Sequence, residues 1–136
     1  MLTSVVGETE WTMSGRYTGR TDIPLTLNGE HQVATSARKV VGSGKIIDPS
    51  RLEHLFISPR TRARRTYELL FDSPSREILE KKVEIAENIR EWEYGAYEGL
   101  LTAQIRAARK SRGLDLERPW NIWLGMAFPC PESLSI

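Results

Sequence analysis

Leu55-Phe56-Ile57-Ser58-Pro59-Arg60-Thr61-Arg62-Ala63-Arg64-Arg65-Thr66 is the stretch on which the fold turns. Leu55, Phe56 and Ile57 form a short apolar run, as a buried strand would, and Ala63, Thr66, Tyr67 and Leu70 then recur at helical spacing. The segment between them therefore joins a strand to a helix, and four arginines crowd it. A helix start already carries about half a positive charge, so cations there work against the macrodipole. Local stability does not account for that arrangement. A bound anion would, because unpaired N–H groups and arginine forks both suit a phosphate. The competing reading is a solvated basic face paired with acids elsewhere.

Upstream of this turn, Leu2 to Gly7 reads as a short strand and residues 7–19, with three glycines and several hydroxyls, as one long loop. Thr26 is placed to cap a helix whose face carries Leu27, Val33, Ala34, Ala37, Val40 and Val41, and Gly42-Ser43-Gly44 ends it. Downstream, the Arg-rich helix runs to about Phe71, Ser75 is placed to cap a further turn, and Val83-Glu84-Ile85-Ala86 alternates as a half-buried strand. Thr102 is read as the cap of a last helix, whose closing turn carries Arg106, Arg109, Lys110 and Arg112; bases there complement the dipole. Trp120 and Trp123 are expected to tuck against the body. Alternating strands and helices indicate an α/β sheet covered by helices, with ligands at the carboxyl ends of the strands. The loops at Gly7, Ser58 and Glu91 are expected to converge there.

A chain of 136 residues, 40% apolar and 27% charged, has the composition of one globular domain. A net charge of +1 gives no general attraction to nucleic acid or to a membrane surface, so the arginines must act locally. No apolar run approaches the roughly 20 residues of a membrane span, and the first residues lack the basic start of a signal peptide, which makes the cytoplasm the expected location. Cys130 is the one cysteine, which leaves no intrachain disulfide and no thiol metal site.

Three loops carry a resemblance. Gly7-Glu8-Thr9-Glu10-Trp11 with Tyr17-Thr18-Gly19 and Asp22-Ile23-Pro24-Leu25-Thr26 comes first, then Ser58-Pro59-Arg60-Thr61-Arg62-Ala63, then residues 90–99, Arg90-Glu91-Trp92-Glu93-Tyr94-Gly95-Ala96-Tyr97-Glu98-Gly99. In order and separation they resemble successive signatures of the histidine phosphatase superfamily, the phosphoglycerate-mutase-like proteins. Residues 109–115 and 117–123 are similar to the fungal branch that includes sedoheptulose bisphosphatase. The resemblance implies a three-layer α/β/α sandwich truncated after its first half, with residues 1–123 a partial domain and 124–136 a divergent tail.

It also implies metal-free phosphoryl transfer without a cofactor, on a phosphorylated sugar or other small phosphate ligand, within carbohydrate metabolism and the pentose phosphate reactions. A histidine takes the phosphoryl group, arginines and a second histidine hold its oxygens, and a carboxylic acid protonates the leaving oxygen. Arg62 falls on the phosphate-binding arginine of Ser-Pro-x-x-Arg-Ala. Glu91 falls on the proton donor, with simple pairing to an arginine as its other reading. Thr12 matches a polar position that contacts phosphate, and Thr18 and Gly19 match the loop that closes on the substrate with a hydroxyl and backbone N–H groups. Tyr94 matches a substrate-side position. Arg60, Arg64 and Arg65 keep the reading of solvated or ion-paired surface.

The departures fall at both ends. The family begins Arg-His-Gly; here Val5 and Val6 precede Gly7, so Val6 occupies the nucleophile position and has no lone pair with which to attack phosphorus. His31 and His54 belong to a helix pattern and a strand edge, and neither replaces it. The second half, with its Gly-His dipeptide, is not expected after Trp123. The chain is therefore expected to be inactive; the alternatives are a non-catalytic phosphate-binding pseudoenzyme or a fragment produced by an altered reading frame or a wrongly joined exon. A mutase is the weaker variant, because the long mutase insertions are not recognisable.

Overall fold

Thr26, not yet helical at φ −74° and ψ 160°, accepts the Gly29 N–H at 2.9 Å through its hydroxyl and starts helix α2, Leu27–Val40. In this structure, a computed structural model that describes residues 7–122, α2 is preceded by a short helix α1, Glu10–Ser14. The long loop expected over residues 7–19 is thus interrupted: two glycines flank the turn, but Glu10 to Ser14 contain none and have room to coil. The strand expected at 2–7 lies outside the described residues except for Gly7.

The chain divides into two compact units, one of residues up to Glu10 with Asp22–Arg90, the other of Trp11–Thr21 with residues from Glu91 onward. In the first, α2 buries Gly29, Val33 and Ala37, four residues apart, and packs on helix α3, Thr61–Leu70. Leu27, expected on the same face, is 89% exposed because its position in the first turn faces away from α3. Strand β1, Leu55–Ile57, leads through α3 and helix α4, Ser73–Leu79, to strand β2, Val83–Ile85. The two strands pair in parallel, Leu55 opposite Val83 and Ile57 opposite Ile85, so the helices form the crossover that parallel pairing requires. The helix expected to start at Ser75 begins earlier: Asp72 is its cap and accepts the Ser75 N–H at 3.0 Å, with Pro74 in the first turn.

Ile47, Phe71 and Leu79 form the buried core of this unit, with Val40, Val41, Leu52, Leu55, Tyr67, Leu70 and Val83 packed around them. Phe56 and Ile85 on the sheet remain about half exposed. In the second unit, helix α5, Thr102–Ser111, buries Ile105, while Trp120 packs edge-on against Tyr17 and Tyr97. Leu101, not Thr102, is the cap residue, its N–H taken by the Gln104 side chain; Thr102 instead shares a hydroxyl hydrogen bond with Tyr17. Of the bases in the last turns of α5, Arg106 donates to the Trp120 carbonyl, and Arg109 pairs with Asp115 and the Tyr97 hydroxyl. Trp123 lies outside the described residues. No helix among the described residues is long and apolar enough to cross a membrane.

Leu79 has no exposed surface, so Leu79→Ala removes buried methyl groups and leaves a cavity. The expected loss is about 2–4 kcal/mol of unfolding free energy in urea titration; a loss below about 1 kcal/mol would mean that this cluster is not the core.

Candidate functional site

In the first unit, the segment after Gly7 is pressed onto α2. A Cβ on Gly29 would stand 2.3 Å from the Glu8 carbonyl oxygen, so only glycine lets the two backbones meet. The Glu8 carboxylate accepts from the Thr26 hydroxyl at 2.7 Å and from Asn28, and the Glu8 carbonyl accepts the Thr26 N–H. The same segment reaches α3: the Gly7 N–H donates to the buried Thr66 hydroxyl at 3.4 Å, and that hydroxyl donates to the Arg62 carbonyl at 2.8 Å. Arg62 itself, in the first turn of α3, is only 8% exposed. Burial sets it apart from the other three arginines, since guanidinium groups seldom leave water without a purpose.

The helix start differs from the open anion cradle that the arginines suggest. The Thr61 N–H and hydroxyl both donate to the Asp22 carboxylate, at 2.9 and 2.6 Å, so an internal anion already faces this end of the dipole. Arg65 is spent on Glu30, at 2.6 Å, and on Glu68, at 3.1 Å, and its hydrogen bond holds the Glu30 carboxyl below its ordinary value. Arg64 is exposed, and the Arg60 Nε is buried without a hydrogen-bond partner among the described residues. A cleft of about 340 Å³ beside them is lined by Arg64 and Arg65 but also by Glu30 and Glu68, which cancel its charge.

In the second unit, residues 16–21 are laced to residues 98–102. Arg16 donates to the Gly99 carbonyl at 2.8 Å, the Tyr17 N–H to Leu100, and the Gly99 N–H to Tyr17. The Glu98 carboxylate then receives the Gly19 N–H at 2.9 and 3.0 Å and the Thr21 N–H at 3.0 Å. Burial alone would push the Glu98 carboxyl up; the hydrogen bonds from Thr21, Gly19 and Arg20 outweigh it and hold the group below its ordinary value. Gly19 is buried, and a Cβ there would stand 2.1 Å from the Trp92 carbonyl oxygen. The Gly19 N–H, expected to meet substrate, donates in this structure to the Glu98 carboxylate.

The remaining candidates lie around this loop. The Thr18 hydroxyl donates to the Arg16 carbonyl at 3.3 Å, and Thr12 is exposed on α1. Tyr94 stacks obliquely on Tyr17 at 5.1 Å, and burial first, then the charge on Glu91, raise its hydroxyl pKa. Glu91 is exposed, with its carboxylate on the Trp92 N–H at 2.9 Å and a hydrogen bond to Tyr94. The structure thus brings Glu91, Tyr94 and the Thr18-Gly19 loop together within the second unit, and holds Arg62 beside the Gly7 segment in the first. Asp22 and Glu98 stand inside the quoted signatures, yet nothing local in the sequence assigns them a partner. His31 lies exposed on α2, and His54 shares a hydrogen bond with Glu84 at 3.2 Å. Val5 and Val6 lie outside the described residues. Among the described residues no three His, Cys, Asp or Glu side chains cluster as metal ligands would.

Comparison with known proteins settles the family. The sequence profile of the histidine phosphatase superfamily (branch 1) matches residues 7–134. The chain belongs to this superfamily. It is similar to sedoheptulose 1,7-bisphosphatase of Saccharomyces cerevisiae, with 49% identity over 118 residues that cover 86% of this chain and 44% of that protein. An acid phosphatase of Mycobacterium tuberculosis is 33% identical over 96% of this chain and 52% of its own length. Among solved structures, phosphoserine phosphatase of Entamoeba histolytica in complex with 3-phosphoglyceric acid superposes with a TM-score of 0.57 and 28% identity, over 74% of this chain and 43% of that one. The chain spans about half the length of the relatives it matches. The α/β architecture expected from the signatures agrees with the parallel β1–β2 pair and its helical crossover.

Within this histidine phosphatase chain, the depressed Glu98 carboxyl makes stability depend on acid. A group held below its ordinary value near 4.5 contributes fully above that value and loses its contribution as pH falls through the lower native one. Melting the full chain and Glu98→Gln between about pH 5 and about pH 3 checks this. The unmodified chain should lose more stability on acidification than the variant; equal losses would contradict the assignment.

Proposed function

We propose that this chain is a sedoheptulose-bisphosphatase-like member of the sugar-phosphate phosphatases that binds a phosphorylated sugar in the cytoplasm without turning it over. The observation that carries the reading is the 49% identity to yeast sedoheptulose 1,7-bisphosphatase combined with valine at the nucleophile position. Arg62 is the phosphate-binding arginine, its fork neutralising phosphoryl oxygens. Glu91 is the proton-donor position, and Thr12, Thr18 and Tyr94 are substrate-side groups; Gly19 shapes its loop. Covalent capture needs a nitrogen lone pair at residue 6, and a valine offers none. Neither His31 on α2 nor His54 beside Glu84 supplies it. Loss of one member of a catalytic set that acts as a unit removes on the order of a million-fold of the rate.

Two results test this. Full-length protein incubated with sedoheptulose 1,7-bisphosphate should release no orthophosphate above the uncatalysed background, and measurable turnover would refute the inactive reading. Inorganic phosphate should raise the melting temperature of the unmodified chain and should do so several-fold less effectively for Arg62→Lys, which keeps the charge but not the two-pronged fork. Equal stabilisation of both proteins would remove Arg62 from the role, and no stabilisation of either would refute phosphate binding by this chain.

A further inference from the structure

We propose that Glu98 is a positioning residue: its carboxylate gathers the N–H groups of Gly19 and Thr21, fixes the shape of the 17–21 loop, and leaves the Thr18 hydroxyl, which in this structure donates to the Arg16 carbonyl at 3.3 Å, as the group that turns from that carbonyl to a phosphate. The inference rests on the phosphate-binding reading above for its ligand, but not for its geometry. Two backbone N–H groups two residues apart converge on one carboxylate, with three donor–acceptor distances of 2.9–3.0 Å. Such convergence makes the small anion-binding concavity that backbone turns offer to phosphate, here filled by a side chain of the same chain. Charge-assisted bonds of this kind are about twice as strong as neutral ones.

The surrounding lacing gives the clamp its leverage. The Tyr17 N–H and carbonyl are bonded to Leu100 and Gly99, and Arg16 holds the Gly99 carbonyl, so three hydrogen bonds tie residues 16–17 to residues 99–100. From that base Glu98 reaches across to Gly19 and Thr21, and Thr18 is the residue suspended between the two anchored points. Gly19 completes the clamp sterically, since a side chain there would strike the Trp92 carbonyl and the Glu98 carboxylate, 2.1 and 2.9 Å from its Cβ. Gly19 is thus an anchor of the loop, and the ligand contact passes to its neighbour.

The test compares the full chain with Glu98→Ala, Glu98→Gln and Thr18→Ala by amide hydrogen exchange at Gly19 and Thr21 and by calorimetric titration with inorganic phosphate. Glu98→Ala should speed exchange at both amides by about tenfold or more and weaken phosphate binding by a comparable factor. Glu98→Gln, which keeps one acceptor oxygen, should restore most of both. Thr18→Ala should weaken phosphate binding without changing exchange. Unchanged exchange in Glu98→Ala would overturn the clamp, and tighter phosphate binding in that variant would overturn it too, by making Glu98 a competitor for the anion. If the unmodified chain takes up no phosphate, the binding reading fails, and the exchange comparison still decides the clamp.

Discussion

The Asp22 carboxylate on the Thr61 N–H is the interaction that allows α3 to begin where it does. Arg60, Arg62, Arg64 and Arg65 all lie at the start of a helix whose dipole already points its positive end at them. Without an anion there, that first turn would be a concentration of unscreened positive charge. The chain supplies its own, from a residue 39 positions earlier. Glu30 and Glu68 then absorb Arg65, and Arg62 is the one of the four that is buried.

The second unit repeats the device. There Glu98, 79 residues after Gly19 in sequence, takes the N–H groups of the loop that was expected to close on substrate. In both units, backbone donors suited to a phosphate are held by carboxylates of the protein. Under the proposed reading, recognition of a phosphate falls to side chains instead of to these N–H groups. That division has a physical advantage. Loops with satisfied N–H groups keep their shape in the empty protein, so less ordering remains to be done when a ligand arrives.

The strand–turn–helix at Leu55 to Leu70 was legible because hydrophobic spacing and arginine placement are both local properties. So was the cap at Thr26, where residue type and the following apolar face agree. The caps expected at Ser75 and Thr102 lie earlier: Asp72 and Ser75 are equally good capping types and the helix starts at the first of them, while at Leu101 the Gln104 side chain holds the N–H and the Leu101 side chain caps nothing. The short helix at Glu10 has too few residues to show a period. Asp22 and Glu98 were invisible as partners, although each stands in a quoted signature, because their hydrogen bonds join segments far apart in sequence. The same holds for Gly29, whose requirement comes from the Glu8 carbonyl that passes over it.

The central claim is that phosphate is taken by the Arg62 side chain while Asp22 keeps the helix N–H. A crystal structure of the full chain soaked in inorganic phosphate tests it most directly. The account predicts phosphate oxygens about 3 Å from the Arg62 guanidinium, with the Asp22 carboxylate still on Thr61. Phosphate seated on the Thr61 N–H with Asp22 displaced, or bound only at sites away from Arg62, would contradict it.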